Sequence, residues 1–217
     1  MKAERWKTRS HFLGLLGAAG IAGCLPLPAF AAMDVAHDPP VAGLQPPDDV
    51  VYRVWEQNGF RGYTIPVDGD VEYPTTLNIT DVRAMPQRTQ IAALSCVKGW
   101  RASATWRGVD LAAIIARVRP MARSRFVVFH CFDRDPAGRP FYESLDLQHA
   151  ADRQTLLALE FNDRPIDRDH GGPVRLLVPR QPAYKSAKWI RRIELVSSLE
   201  HIGSGKGGYW EDHRAGY

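Results

Sequence analysis

The residues best suited to chemistry in this sequence are Cys96 and a run of basic residues between positions 170 and 192. The pattern of residues 94–100 predicts that Cys96 lies where a strand enters a Gly-Trp turn, and residues 106–108 predict a second turn. A thiolate is a soft metal ligand and the most nucleophilic common side chain, so Cys96 is a candidate for metal binding or redox chemistry. The alternative is that Cys96 is only a small buried hydrophobe.

The basic residues are concentrated in a stretch that has no acidic residue from position 174 to position 193. Its members, with one histidine before them, are His170, Arg175, Arg180, Lys185, Lys188, Arg191 and Arg192. Arginine offers bidentate hydrogen bonds to an anion and lysine offers a point charge, so the stretch predicts a pocket for an anionic ligand. Glycines at 171–172 and small residues at 186–187 would let a ligand approach the backbone. A solvated charged face is the alternative.

Several common motifs are absent from the sequence. There is no cysteine–histidine cluster with zinc spacing, no phosphate-binding or dinucleotide-binding glycine loop, and no G-x-S-x-G turn around a nucleophilic serine. These absences exclude the commoner nucleotide-binding and hydrolase classes.

The N-terminus has the pattern of an export signal. Basic residues at positions 2, 5, 7 and 9 precede an uncharged apolar run over 12–25, and Ala29-Phe30-Ala31 provides a cleavage site. We therefore predict a signal over 1–31 and a periplasmic protein. Loss of the signal removes four basic residues and one acidic residue, so the formal net charge falls from +4 to +1. The net charge of the remaining chain is too small to indicate a nucleic-acid partner.

Two details of the signal leave alternatives open. Arg9 and Ser10 resemble a twin-arginine motif in which the second arginine is missing, and Cys24 ends a lipobox-like segment. A lipid anchor at Cys24 would be the only membrane attachment, whereas cleavage after Ala31 would remove this cysteine. Cys96 and Cys131 would then remain, and a disulfide between them is one alternative.

The rest of the chain predicts one α+β domain over 50–217, with a mixed or antiparallel sheet, after a proline-rich tether over 32–49. Predicted strands are 50–55, 63–67, 126–132, 156–161, 174–179 and 189–196. Predicted helices are 80–85, 111–118 and 145–151, the second with Asp110 as its N-cap and Pro120 as its stop.

Motifs in the order and spacing of this chain resemble the molybdopterin-binding domain of the sulfite oxidase family. The resemblance is strongest to its short exported bacterial branch, which includes periplasmic methionine sulfoxide reductases, and it runs from about Tyr63 to the C-terminus. The motifs that carry it are residues 96–100, 106–109, 162, 170–175, 184–189 and 208–211.

The resemblance implies a molybdenum–molybdopterin cofactor and roles for particular residues. Cys96 matches the thiolate that binds molybdenum. His170 and Arg175 match residues that contact the pyranopterin and its phosphate. Further cofactor-binding residues implied by the match are Ser186, Ala187 and Lys188 around the phosphate, Cys131 in place of a hydroxyl residue, and Asp133 beside it. Tyr184 and Lys185 would polarise an oxyanionic substrate.

The expected function is an exported mononuclear molybdenum oxidoreductase that transfers an oxygen atom and two electrons on a small sulfite-like or S-oxide-like substrate. Residues 50–62 do not match the segment that supplies further cofactor contacts in longer family members. We expect electrons to pass to or from a separate partner, a cytochrome or a membrane haem protein. The alternatives are a non-catalytic exported protein that binds an anion or a pterin, and a domain stabilised by a Cys96–Cys131 disulfide.

Overall fold

The structure is a computed structural model that describes residues 33–34, 50–97, 99 and 101–214. The predicted export signal lies outside these residues, as does the tether apart from 33–34. Within the described part of the chain, no helix combines the length and the apolar character that crossing a bilayer requires.

Strands predominate over helices, as predicted. The strands are β1 (Met33–Asp34), β2 (Thr64–Gly69), β3 (Thr75–Asn78), β4 (Gln87–Ser95), β5 (Arg101–Asp110), β6 (Phe126–Arg134), β7 (Pro140–Asp146), β8 (Leu156–Phe161), β9 (Arg164–Pro165), β10 (Arg175–Leu177) and β11 (Ile190–Val196). The α-helices are α1 (Val50–Gln57), α2 (Ile79–Ala84), α3 (Leu111–Val118), α4 (Leu147–Ala150) and α5 (Tyr209–His213). A 3₁₀ turn covers Ala183–Lys185.

The strands form two sheets. The first has the order β1-β5-β8-β10, with β4 paired to β5 and β9 paired to β8. The second has the order β3-β2-β11-β6-β7. Most pairs are antiparallel, whereas β1–β5 and β2–β11 are parallel. The predicted mixed sheet and α+β class are therefore confirmed.

The first four residues of strand β8, 156–159, are buried on both faces, which explains their continuous apolar sequence. Leu157 and Leu159 belong to the larger hydrophobic core, which includes residues from both sheets and α3. Leu156 and Ala158 point to the opposite face and belong to a smaller cluster around Trp106. Because successive strand residues alternate between faces, one strand contributes to two cores.

Helix α3 forms as its apolar spacing predicts, and Leu111, Ile114, Ile115 and Val118 are all buried. Asp110 occupies the N-cap position but makes no capping hydrogen bond. Its carboxylate instead accepts a hydrogen bond from Arg88 at 2.8 Å. The helix is therefore stabilised by its buried face rather than by its cap.

The prediction of a strand over 50–55 is wrong, because these residues begin α1. Tyr52 and Trp55 lie three residues apart and so share one helical face. Their rings contact Phe60, Tyr63 and Phe132, with centroids 5.3 to 6.4 Å apart. Packing of this aromatic face outweighs the strand preference of the valines.

Two further predictions fail around β5 and β7. Residues 106–108 are not a turn but part of β5, where the pairing with β8 shifts between Arg107 and Gly108. A side chain at Gly108 would collide with the backbone of β8, so this glycine permits close strand approach rather than a turn. Residues 140–146 form β7, and the predicted helix over 145–151 is confined to α4.

Candidate functional site

The turn before β10 brings a histidine and a glycine against the basic segment. Asp167 accepts a hydrogen bond from the backbone N–H of His170 at 2.9 Å and contacts the His170 ring at 2.7 Å. Gly171 has a φ of +98°, and a Cβ there would lie 2.7 Å from Cβ of Lys188. The turn therefore requires glycine both for its backbone conformation and for its contact with Lys188.

Arg175 joins this turn to the segment Ser186–Lys188. Its side chain donates to the carbonyl of His170 at 2.9 Å and to the carbonyl of Ser186 at 3.2 Å. Only 1% of the residue is exposed. Its guanidinium lies over the Trp106 ring, with Cζ 5.3 Å from the centroid. A buried cation held by two carbonyls and an aromatic face is a fixed positive centre.

The segment Ser186–Lys188 lies along β10 and is tied to it by its backbone and one hydroxyl. Leu176 N–H donates to the carbonyl of Ala187 at 2.8 Å, and Val178 N–H donates to Oγ of Ser186 at 3.0 Å. Lys188 Nζ donates to the carbonyl of Asp169 at 3.2 Å and lies 5.6 Å from the Trp189 ring centroid. A second buried cation is thus held near Arg175.

Asp133, on β6, supplies a buried carboxyl close to Lys188. Only 2% of the residue is exposed, and its Oδ1 has no hydrogen-bond partner among the described residues. Burial raises the pKa of Asp133 to about 8, against the opposing charge of Lys188. The carboxyl is therefore largely protonated at neutral pH, and one of its oxygens is left for another partner.

Cys131, two residues before Asp133, is 1% exposed. Burial raises the pKa of its thiol well above the ordinary value, and the charges of Asp133 and Glu143 add to the rise. Cys131 and Cys96 are thiols and form no disulfide. The alternative of a Cys96–Cys131 disulfide is therefore wrong. Cys131 is a neutral, buried thiol close to Asp133.

The side chains of Lys185 and Tyr184 point toward β7 and α5, away from the buried cations and the carboxyl described above. Lys185 Nζ lies 2.8 Å from Oε2 of Glu143 and also contacts Oε1 of Glu211. Tyr184 Oη donates to Oε1 of Glu211 at 3.3 Å. The charge of Lys185 is therefore already neutralised, which weakens its predicted role in polarising an oxyanion.

Cys96 lies at the tip of the β4–β5 hairpin, half-buried, and its carbonyl accepts a hydrogen bond from the N–H of Gly99 at 2.9 Å. Gln90 on β4 pairs with Trp106, and Cys96 follows six residues later. Six residues of extended strand span about 20 Å. The thiol thus lies at a different level of the sheet from Arg175 and Trp106.

The structure therefore brings the seven predicted cofactor-binding residues into one region, and it pairs Lys185 and Tyr184 with acidic side chains of β7 and α5. The seven are Cys131, Asp133, His170, Arg175, Ser186, Ala187 and Lys188. That they hold the cofactor, and that Cys96 binds molybdenum, remain predictions.

Sequence analysis missed several residues that support the cluster. Tyr52 and Tyr63 donate hydrogen bonds to the carbonyls of Gly172 and Ile190. Trp106 provides the ring beneath Arg175. These side chains come from distant elements, and only their size and aromatic character distinguish them in the sequence.

The residues of the cluster suit a phosphate-bearing heterocycle. Arg175 and Lys188 offer positive charge to a phosphate, and the unpartnered oxygen of Asp133 can accept an N–H from a ring edge. Within the described ranges, no three His, Cys, Asp or Glu side chains are arranged to hold a metal ion.

Residues 53–201 match the model of the oxidoreductase molybdopterin binding domain family. The chain belongs to this family. The match confirms the predicted resemblance and begins ahead of Tyr63, where the resemblance was expected to start. The cofactor of this family is molybdenum–molybdopterin. Molybdopterin is a phosphate-bearing heterocycle, as the residues of the cluster indicate.

Two comparisons place this molybdopterin-binding domain among known proteins. It is 27% identical over 177 residues to a putative protein-methionine-sulfoxide reductase subunit, YedZ1, of Azospira oryzae. That alignment covers 76% of the chain and 63% of the relative, so the chain spans under two thirds of the relative's length. The sulfane dehydrogenase SoxCD of Paracoccus pantotrophus shares its fold with a TM-score of 0.56 at 21% identity, over 63% of this chain and 38% of that one.

Proposed function

We propose that this protein is an exported mononuclear molybdenum oxidoreductase that transfers an oxygen atom and two electrons on a small sulfite-like or S-oxide-like substrate. The observation that carries the proposal is the buried cluster of Arg175, Lys188 and Asp133, with one carboxyl oxygen unpartnered among the described residues. When bound, the molybdenum cofactor supplies the two-electron oxygen-atom chemistry.

The residues of the chain bind and orient this cofactor. Arg175 and Lys188 hold its phosphate, and His170 lies at the turn beside them. Asp133 accepts a hydrogen bond from the heterocycle, while Cys131 closes the wall as a neutral thiol. Cys96 provides the protein thiolate for the metal, as soft ligands suit this ion.

The proposed substrate class and partner have support from the comparisons. The Azospira relative is named as a subunit of a methionine sulfoxide reductase. Reduction of an S-oxide breaks the sulfur–oxygen bond and consumes two electrons and two protons, and the oxygen leaves as water. We assign the electrons to a separate cytochrome or haem protein. Export rests on the signal pattern of residues 1–31.

Metal and pterin analysis tests the proposal. Protein expressed in a cofactor-competent host should purify with molybdenum and pterin and should reduce S-oxides with an artificial electron donor. C96A should keep its pterin and lose turnover, whereas the matched variant C131S should keep turnover. Wild-type protein without molybdenum and pterin, or normal turnover by C96A, would refute the proposal.

A second candidate is a non-catalytic exported protein that binds the pterin without turnover. The ion pairs of Lys185 with Glu143 and Glu211 favour it, because the side chain predicted to polarise a substrate is already neutralised. This candidate predicts bound pterin but no Mo(V) resonance on reduction. A Mo(V) signal that disappears in C96A would exclude it.

A further inference from the structure

Lys185 is enclosed by two acidic side chains from elements distant in the sequence. Glu143 comes from β7 and Glu211 comes from α5, and both contact Nζ of Lys185. Glu143 is 0% exposed, and the side chains of Lys185 and Glu211 are 11% and 14% exposed. Nζ also lies 3.4 Å from the carbonyl of Gly207. We call Glu143, Lys185 and Glu211 the acid clamp.

The acid clamp contains two carboxyls and one ammonium. Oε2 of Glu211 is buried and accepts no hydrogen bond from any residue in the described part of the chain, whereas the backbone N–H of Trp210 faces the Glu143 carboxyl and opposes the rise in its pKa. Two buried carboxylates cannot both remain charged beside a single cation without a large cost. Burial therefore disfavours the charged form of Glu143, and Lys185 offsets part of this cost.

Burial and the neighbouring charges shift the pKa values of Glu143 and Lys185. Burial raises the pKa of Glu143 well above its ordinary value; Lys185 opposes this rise and Glu211 adds to it. Burial opposes the charge of Lys185, yet Glu143 and Glu211 together raise the pKa of its ammonium. Tyr184 from the 3₁₀ turn, Tyr142 from β7 and Cys131 from β6 also face the pair.

The chain is shaped to let the two acids approach. A Cβ at Gly208 would collide with the Glu143 carboxyl and would lie 2.6 Å from Oε2 of Glu211. Glycine at this position therefore keeps the space that the acid pair occupies. Gly208 and Glu211 belong to the motif over 208–211, which lies after the residues 53–201 that match the family model.

The acid clamp is adjacent in the chain to the proposed cofactor segment. Lys185 precedes Ser186, whose carbonyl accepts from Arg175 and whose hydroxyl accepts from Val178. Fixing Lys185 therefore fixes the start of the segment that contains Lys188. Arg175 holds this segment from one side, and the acid clamp holds it from the other.

We propose that Glu143 and Glu211 are positioning residues that clamp Lys185, so that the segment Ser186–Lys188 is held in place to bind the cofactor phosphate. This inference rests on the proposed cofactor binding and deepens it. It also gives Lys185 a positioning role in place of the catalytic one expected from the sequence.

The rate at which holoprotein releases pterin tests the clamp. K185M leaves two buried acids without a cation, and E143Q/E211Q leaves the ammonium without an anion, so both should release pterin at least tenfold faster than the wild type. Each single variant, E143Q or E211Q, keeps one acid for Lys185 and should release pterin within about twofold of the wild-type rate. K185R keeps the charge and should recover part of the loss.

A control variant separates the positioning effect of the clamp from a general loss of stability. L77A removes a side chain that is 1% exposed in β3 and that belongs to neither the clamp nor the cofactor cluster. Pterin release should be compared at equal distances below each unfolding midpoint. If L77A releases pterin as fast as K185M under these conditions, the clamp is only a structural contact and the inference is overturned.

The pH dependence of release gives a second readout. Burial raises the pKa of Glu143, so this carboxyl acquires an unfavourable buried charge as pH rises and the clamp weakens. Because Asp133 titrates in the same direction, the comparison is made in a D133N background. There, E143Q should flatten the rise in release rate with pH, and an unchanged slope would overturn the inference.

The outcome also distinguishes the clamp from the proposed function. Wild-type protein that contains no pterin would contradict both. Wild-type protein that contains pterin, with K185M and E143Q/E211Q releasing it at the wild-type rate, would contradict the clamp alone.

Discussion

Arg175 reaches across one strand to lie over the ring of Trp106, with 5.3 Å between Cζ and the ring centroid. Between them is β8, where Ala158 pairs with Arg175 on one side and with Gly108 on the other. The small side chain of Ala158 leaves room for the guanidinium. The positive centre of the cluster thus depends on a row of small residues across the first sheet.

Removal of this guanidinium should be costly. R175M would leave the carbonyls of His170 and Ser186 without their donor, and we expect a loss of about 2–4 kcal/mol in the free energy of unfolding together with most of the pterin. R175K should fall between R175M and the wild type, because one ammonium cannot reproduce the planar fork. Urea denaturation and pterin content measure the two effects.

The control for this variant is Arg180, from the same basic stretch. Arg180 is exposed and pairs with Asp152 at 3.1 Å. Exposed ion pairs contribute about 0–1 kcal/mol, so R180Q should change the free energy of unfolding little. An equal loss of unfolding free energy in R180Q and R175M would mean that the buried contacts of Arg175 contribute no more than an exposed ion pair.

Asp133 should make the free energy of unfolding depend on pH. Its native pKa is about 8 and its ordinary value is 3.8, so the folded state holds a proton that the unfolded state lacks between these values. Stability is therefore full below pH 4 and falls as pH rises through 8, by at most about 1.4 kcal/mol per pH unit. D133N should remove this part of the slope in urea denaturation from pH 5 to 8.

Asp70 provides the control for the pH experiment. The hydrogen bond from Arg123 lowers the pKa of this exposed carboxyl, so its contribution is lost only as pH falls below the ordinary range. D70N should therefore leave the slope between pH 5 and 8 unchanged. A slope in D133N equal to that of the wild type would show that another group titrates.

Gly171 should not tolerate a side chain. Its φ of +98° strains any other residue, and the new Cβ would displace Lys188. We expect G171A to cost about 1–3 kcal/mol and to lower pterin content. G138A is the matched comparison, since Gly138 has a φ of +79° but no atom within 4 Å of its added Cβ. Equal pterin content in both variants would mean that the Lys188 contact is unimportant.

The two cysteines should differ in reactivity. Cys96 is half-buried on a hairpin tip, whereas Cys131 is buried and its thiol has a raised pKa. Alkylation of native, cofactor-depleted protein at pH 8 should therefore label Cys96 at least tenfold faster than Cys131, as measured by peptide mass mapping. Equal rates in native protein would contradict the burial of Cys131.

Elements whose signal is local could be predicted from the sequence. The spacing of apolar residues predicted α3, and the β-branched and aromatic run predicted β6. Strand β7 was missed, because prolines and a glycine on its N-terminal side indicate a loop and Glu143 interrupts its apolar pattern. Helix α1 was mistaken for a strand because the packing of Tyr52 and Trp55 is not visible locally.

The candidate site shows the same limit. The basic stretch without acids was expected to face one anion, yet its members find acids elsewhere in the chain. Lys185 is bound by Glu143 and Glu211, and Arg180 is bound by Asp152. A run of basic residues in the sequence can therefore be paired with acids from distant elements in the fold. Of the basic stretch, only Arg175, Lys188 and His170 lie with Asp133 in the cluster.

The central place of β11 in the second sheet has a consequence for biosynthesis. Strand β11 lies between β2 and β6, and Ile193 pairs in parallel with Val67. The segment Ser186–Lys188 ends two residues before Ile190, the first residue of β11, so its C-terminal end is fixed only when that strand has been inserted. A nascent chain that ends before residue 193 lacks this pairing, so we expect cofactor loading to follow the synthesis of β11.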